Sequence, residues 1–512
     1  MAYIRYIKKS NGQEYASLAG TVRSGEKVVQ EYLGNLGRVI DKEAGIFRSQ
    51  ERGLFRYTLE DGYCDLPPAT CTEGLVLAPR AERLILDFGD SFFLNRFLEM
   101  QEFRDAFYQV LPEATDSLLS LVFYRILTDK KAYCYADTWW QGNYASLLYP
   151  QAKLTSQRVS ELLAKVGAEE AQRRFFKAYY RLLYGSSGAA GILIDSSGLP
   201  NASKMSVTQI SNHNGDISLE TRLIYVVDRK TGMPVYFRYC AGNIVDVTTL
   251  CTTLAELKNY DIAVDHVIMD AGYHGEENVR ELYKNQVSFI TRLAPNRVLF
   301  KEVVKEHLPG LMSSANALRY GSRLLYMKKV EVDLYGNRGF AYIGVDTDLR
   351  NQQMKRTAFA ALDDKLAQED ADERMLKLGV FMIISSEDIA ASEILPLYYT
   401  RQQIEQVFDI SKNNADLLPL RIQNEDTFRG HLMITFLATV LLQKLQRDIL
   451  IRCRKGDKIN PEGTLITLRN QKCKVYENEI VPQEVVKNIN DVYRLFKIKC
   501  PHTIPKQECS KN

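Results

Sequence analysis

The spacing of hydrophobic and polar residues changes character twice along the chain. Residues 1–62 alternate over short stretches, such as Tyr3-Ile4-Arg5-Tyr6-Ile7 and Val28-Val29-Gln30-Glu31-Tyr32-Leu33 before Gly34, which predicts a small β-rich module. Pro67-Pro68, between Cys64 and Cys71, reads as a linker. Over 80–184 the period becomes helical, in runs such as Leu118-Leu119-Ser120-Leu121-Val122-Phe123-Tyr124-Arg125-Ile126-Leu127. The stretch Thr155–Leu163 has Ser and Thr cap candidates and a polar side. It fits either a bundle helix or the recognition helix of a helix-turn-helix.

From 185 to 295 strands and helices alternate. Gly191-Ile192-Leu193-Ile194 reads as a buried strand ending in Asp195, and Arg222–Val227 with Met233–Tyr239 as a hairpin around Asp228-Arg229-Lys230-Thr231-Gly232. A helix follows, then the strand His266–Met269 ending in Asp270, another helix and the strand Val287–Leu293. This β-β-β-α-β-α-β order predicts an α/β fold with a ribonuclease-H-like, mixed five-stranded sheet and flanking helices. In that sheet the first and fourth strands are neighbours, about 4.8 Å apart, so Asp195 and Asp270 would meet at one edge.

Residues 296–378 exceed what one helix and one strand need, and Leu324–Val332 and Gly339–Val345 read as strands of an inserted subdomain. The core resumes over 379–450, where Val380–Ile384 reads as a strand before a helix. The run from Asp363 to Glu373 is acidic and reads as a solvated helix. Residues 451–512 are expected to form a basic tail. From Lys444 onward 15 basic residues face 8 acidic ones, a local +7, whereas the whole chain of 512 residues carries only +3. A basic tail suits contact with nucleic acid.

Chemistry concentrates at Tyr398-Tyr399-Thr400-Arg401-Gln402-Gln403-Ile404-Glu405, followed by Lys412. In an ideal helix positions 398, 401, 405 and 412 fall within a wedge of about 60°. Cations suit phosphate, and a carboxylate suits a hard divalent metal. Aspartates at adjacent strand ends, with a third carboxylate from a helix packed across them, suit a pair of metal ions about 3.5–4 Å apart for phosphoryl transfer. All-oxygen ligands favour Mg²⁺ or Mn²⁺.

The spacing Y-(2)-R-(3)-E-(6)-K resembles the signature of a branch of the DDE transposases of bacterial insertion sequences. Ile194-Asp195-Ser196-Ser197, Gly242-Asn243 with Asp246, Asp270-Ala271-Gly272-Tyr273, and the segment around Arg421-Ile422 and Gly430-His431-Leu432 are similar to the other motifs of that family. The resemblance implies that Asp195, Asp270 and Glu405 are catalytic and bind two Mg²⁺ (or Mn²⁺) ions. It implies that Tyr398, Arg401 and Lys412 hold DNA phosphates, and that the inserted subdomain is mainly β. The implied partners are double-stranded DNA, both element ends and target, and a second copy of the chain on that DNA. The implied reaction is hydrolysis at terminal inverted repeats, then attack of the freed 3′-OH on target DNA, by cut and paste. The helical 80–184 region is then the expected DNA-binding domain.

One feature departs from the family. Relatives stack a flipped base on a tryptophan of the insertion, whereas the only tryptophans here are Trp139 and Trp140. Tyr320, Tyr326 and Tyr335 are the alternative aromatic faces. His213 and His274 lie near the expected site in a mechanism that needs no histidine. Two other readings compete: a DNA-binding descendant that no longer cleaves, and a stand-alone nuclease of the same fold. The apolar stretch Leu432–Leu442 is too short to cross a bilayer, and a cytoplasmic, nucleoid-associated location in a bacterium is expected.

Overall fold

Alternation in the first residues produces six strands that pair antiparallel in chain order. They are β1 (Ala2–Lys8), β2 (Glu14–Ser24), β3 (Lys27–Asp41), β4 (Ile46–Ser49), β5 (Gly53–Thr58) and β6 (Gly62–Asp65). Every second side chain of a strand points to the same face. Ala16, Leu36, Phe47, Phe55 and Tyr57 thereby form a small core of their own. The computed structural model describes residues 2–9, 13–24, 27–49, 52–65, 84–129, 131–185, 188–211, 217–363, 375, 377–420, 422–453 and 459–506. The expected linker beyond 65, the acidic run from 364 to 373, His213 and Arg421 lie outside the described residues. Contacts divide the chain into two units, 1–81 and 82–512.

The larger unit opens with β7 (Leu84–Asp87) and a series of helices that includes Thr115–Leu127, Ser156–Val166 and Glu169–Tyr184. Every residue from Ser117 to Leu127 is buried, which needs cover on more than one side. Much of that cover comes from the 28-residue helix Glu425–Arg452, which also packs on Ser156–Val166. A Cβ on Gly430 would overlap the Leu163 carbonyl, so the glycine of Gly430-His431-Leu432 permits direct backbone contact between two helices. The helical stretch therefore shares one continuous hydrophobic core with the α/β region. No described helix is long and apolar enough to cross a membrane.

The central sheet is larger than five strands. Its first part is β8 (Ala190–Pro200), β9 (Gln209–Ser211), β10 (Ser218–Asp228), β11 (Pro234–Ala241), β12 (Val264–Met269) and β13 (Ser288–Arg292). The order β11-β10-β8-β12-β13 is the one expected, with β8 and β12 parallel neighbours. The sheet then continues through the insertion. β14 (Ala317–Tyr320), β15 (Arg323–Asp333), β16 (Arg338–Asp346) and β17 (Val380–Ser385) extend it antiparallel from β13, giving ten strands. The expected five-stranded core and separate β insertion are one mixed sheet, because β17 pairs β13 on one edge and β16 on the other. The insertion also contains the helices Val298–His307 and Thr347–Leu362.

Residues 459–506, expected to form a tail, are folded instead. β18 (Lys472–Val475), β19 (Glu479–Pro482) and β20 (Ile504–Pro505) join β7 in a four-stranded sheet. Alternate burial of Cys473, Val475, Ile480 and Pro482 supplies the apolar face that their lysine-rich composition obscures.

A polar cluster fixes the chain just beyond the signature region. Arg125 pairs with Asp416 across 3.5 Å, both almost fully buried, and also donates to the Asp416 carbonyl. Nearby, His431 Nε2 donates to the Leu417 carbonyl (3.1 Å) while Nδ1 lies 2.8 Å from the Tyr133 hydroxyl. Burial, reinforced by the Arg125 guanidinium, pulls His431 down to about 3. An unfolded histidine takes up its proton near pH 6.5, so stability should fall as pH drops below 6.5 toward 3. Thermal melting of His431→Gln should fall less steeply than wild type between pH 6.5 and 4.5; parallel curves would contradict this.

Candidate active site

Asp195 and Asp270 are brought together by strand pairing. β8 and β12 run parallel with Ile194 opposite Met269, so the two aspartates are successive to a matched pair. Asp195 does not end its strand: β8 continues to Pro200, pairing with β10, where Tyr225 faces Asp195. Asp270 directly follows β12, and its carbonyl accepts from the Thr291 hydroxyl at 3.1 Å.

The signature segment is not one straight helix. Ala391–Tyr399 contains Pro396 and stops; Gln402–Asp409 follows Arg401, and Ile410–Asn414 makes a single π turn. The interruption places Arg401 in the gap between helices, where its guanidinium meets all three carboxylates. Nη1 donates to Asp195 Oδ2 at 2.7 Å, and Nη2 lies 3.1 Å from Glu405 Oε1 and 3.9 Å from Asp270 Oδ1. Glu405 and Asp270 reach solvent, at 57% and 43% exposure, whereas Asp195 is 18% exposed. Burial, with help from Asp270 and Asp246, pushes the Asp195 carboxyl up to about 6 against the pull of Arg401.

The remaining signature residues diverge. Tyr398 is buried, which pushes its hydroxyl up to about 12, and it lines a cleft of about 420 Å³ with Asp270, Arg292, Arg323, Arg401 and Glu405. Lys412 turns away from the carboxylates. Its Nζ donates to Ser197 Oγ at 2.5 Å, and burial lowers its affinity for the proton. Lys412 thereby ties the π turn to β8 two residues beyond Asp195.

Other predicted aromatics and histidines separate clearly. Tyr320 stacks on Tyr399 with ring centroids 5.2 Å apart, and the Arg323 guanidinium lies over both rings. Tyr335 instead lies against His274, whose ring burial pulls it down to about 4.

The oxygen-only donor set fits a hard cation such as Mg²⁺ or Mn²⁺, since three carboxylates from separate segments already converge on one positive group. Among the described residues no group of three His, Cys, Asp or Glu side chains has the spacing to hold a metal ion as it stands.

A second set of charges lies behind the aspartates, and sequence reading found only part of it. Arg222 Nη1 donates to Asp246 Oδ1 at 2.5 Å and to Ser196 Oγ at 2.9 Å, while Ser196 Oγ donates to the same Asp246 oxygen. Glu220 lies 3.9 Å from Arg222. Asp246 stood out as a motif residue; Arg222 did not. The available signal was a charged pair two residues apart, Glu220 and Arg222, leading into the apolar run 223–227 of β10. The cluster clamps β8, at Ser196, to β10 and to the segment that leads into the first core helix.

Residues 186–441 match the family described as Transposase DDE domain. The chain belongs to that family. DDE transposases cleave and transfer DNA, and the matched span contains every residue of the candidate site. Among solved structures, a piggyBac transposase synaptic complex with hairpin DNA, studied by cryo-EM, is similar at 10% identity and a TM-score of 0.41. That match covers 74% of this chain and 79% of that one. This likeness is too slight to decide fold or function. No curated protein sequence matches.

The buried clamp gives a stability test. Asp246→Ala removes the closest charged partner of the buried Arg222 and should cost about 3 kcal/mol. Adding Arg222→Met should recover part of that loss in denaturant unfolding; strictly additive losses would contradict a direct pair.

Proposed function

We propose that this transposase cuts DNA at the terminal inverted repeats of an insertion sequence and joins the freed 3′ ends to target DNA by cut and paste. The observation that best supports this reading is the convergence of Asp195, Asp270 and Glu405, from two parallel strands and a helix, on one guanidinium. In this reading the three carboxylates hold two Mg²⁺ or Mn²⁺ ions. Bound there, the ions would activate the attacking oxygen and stabilise the leaving one.

The chain's own residues do the positioning. A phosphate entering the cleft attracts Arg401, whose planar fork suits it, and releases the carboxylates. The Tyr398 hydroxyl, kept protonated by burial, donates to the same backbone. Lys412 holds the π turn on β8 and adds positive charge beside the strand. Tyr320, stacked on Tyr399 at the cleft, is the tyrosine best placed to receive an unpaired base. The working assembly is a homodimer that pairs two element ends, in the bacterial cytoplasm at the nucleoid.

The deciding experiment is release of the element from a plasmid carrying the gene with its native flanks, in Mg²⁺. Wild type should release it at defined ends. Glu405→Gln should bind the ends normally and release nothing, because it alters a metal ligand and no phosphate contact. Arg401→Ala should bind ends more weakly, with the slope of log affinity against log salt shallower by about 1. Unselective cutting without joined product would favour a plain nuclease. Normal binding without release by wild type would favour a non-cleaving descendant.

A further inference from the structure

The N-terminal sheet has one apolar face and one arginine face. Ile4 opposite Leu18, Val39 opposite Phe47, and Phe47 opposite Phe55 define the apolar side. The alternate positions carry Arg5 opposite Ser17, Arg38 opposite Arg48, and Arg56 opposite Ile46. Tyr15 lies beside Arg38 on the same row, with the Lys9 ammonium 4.3 Å from its ring centroid.

Arg38 and Arg48 are direct cross-strand partners, an arrangement that like charges disfavour. The backbones are held unusually close at this pair. Gly37 has a φ of 84°, and a Cβ there would overlap the Arg48 carbonyl, so glycine permits the close approach of the two strands beside this pair. Among the described residues none of Arg5, Arg38, Arg48 and Arg56 forms an ion pair. Asp41, the nearby carboxylate at the end of β3, is taken up by the backbone N–H groups of Glu43 and Ala44. The four guanidiniums are therefore left without an ion-pair partner among the described residues, and a polyanion laid across the face would supply one.

We infer that this face of β1–β5 is a docking surface for the phosphate backbone of duplex DNA. The inference rests on the reading of the chain as a DNA-acting transposase. It assigns to the N-terminal sheet a contact that sequence alone placed in the helical region. Arginine forks at neighbouring strand spacing, with serine and tyrosine hydroxyls between them, contact phosphates and sugars and read no base edges. The face thus contributes affinity and salt dependence, and leaves sequence choice to other elements.

The full-length double variant Arg38→Gln/Arg48→Gln tests this. Losing two phosphate contacts should make the slope of log affinity against log salt shallower by about 1.8, equally for element ends and unrelated duplex. Relief of the Arg38–Arg48 repulsion should leave the melting temperature unchanged or raise it. An unchanged salt slope in a folded variant would overturn the inference, and so would a lowered melting temperature with unchanged DNA affinity, which would mark the face as packed against protein. If wild type binds no duplex at any salt, the reading of the chain as a DNA enzyme fails first. If wild type binds and releases the element while the variant keeps its slope, only the docking surface fails.

Discussion

Three carboxylates gathered in a small, partly buried volume repel one another unless a cation lies among them or one takes up a proton. Asp195, Asp270 and Glu405 are held in that situation by the fold, and Arg401 resolves it. Burial, and to a lesser degree the neighbouring Asp270 and Asp246, raises Asp195 to about 6 even with a guanidinium present. At neutral pH a site of this kind is satisfied by an internal cation or by an external one. In the proposed function phosphate would compete for the first and a divalent metal would supply the second, so substrate and metal would favour each other's arrival.

The rest of the large unit serves to keep those charges from moving apart. Parallel pairing of β8 with β12 fixes the aspartates. The Arg222–Asp246 pair holds β8 at Ser196, and Lys412 holds the signature segment to Ser197. The long helix Glu425–Arg452 then packs the helical stretch onto the same core through the close approach at Gly430.

Much of this was legible in the sequence, and what was missed has physical reasons. Strand order from 191 to 293 followed from period and turn residues, because buried parallel strands write continuous apolar runs. Asp195 was read as a strand end, since apolar residues stop there, but the pairing with β10 continues through Ser196 and Ser197. The ideal-helix wedge placed Lys412 beside Glu405; the Pro396 helix stops at Tyr399, and the later π turn moves Lys412 to β8. Insertion and core merged into one sheet because β17 has two partners, which no local pattern encodes. Charge counting made a tail of residues whose few alternating apolar positions were enough to pair with β7.

The most direct test of the central claim is anomalous diffraction from crystals of the transposase bound to a duplex element end with Mn²⁺. The account predicts manganese within coordination distance of Asp195, Asp270 and Glu405, with the Arg401 guanidinium drawn off to a DNA phosphate. Manganese absent from these carboxylates, with Arg401 still lodged among them and DNA in the cleft, would contradict it.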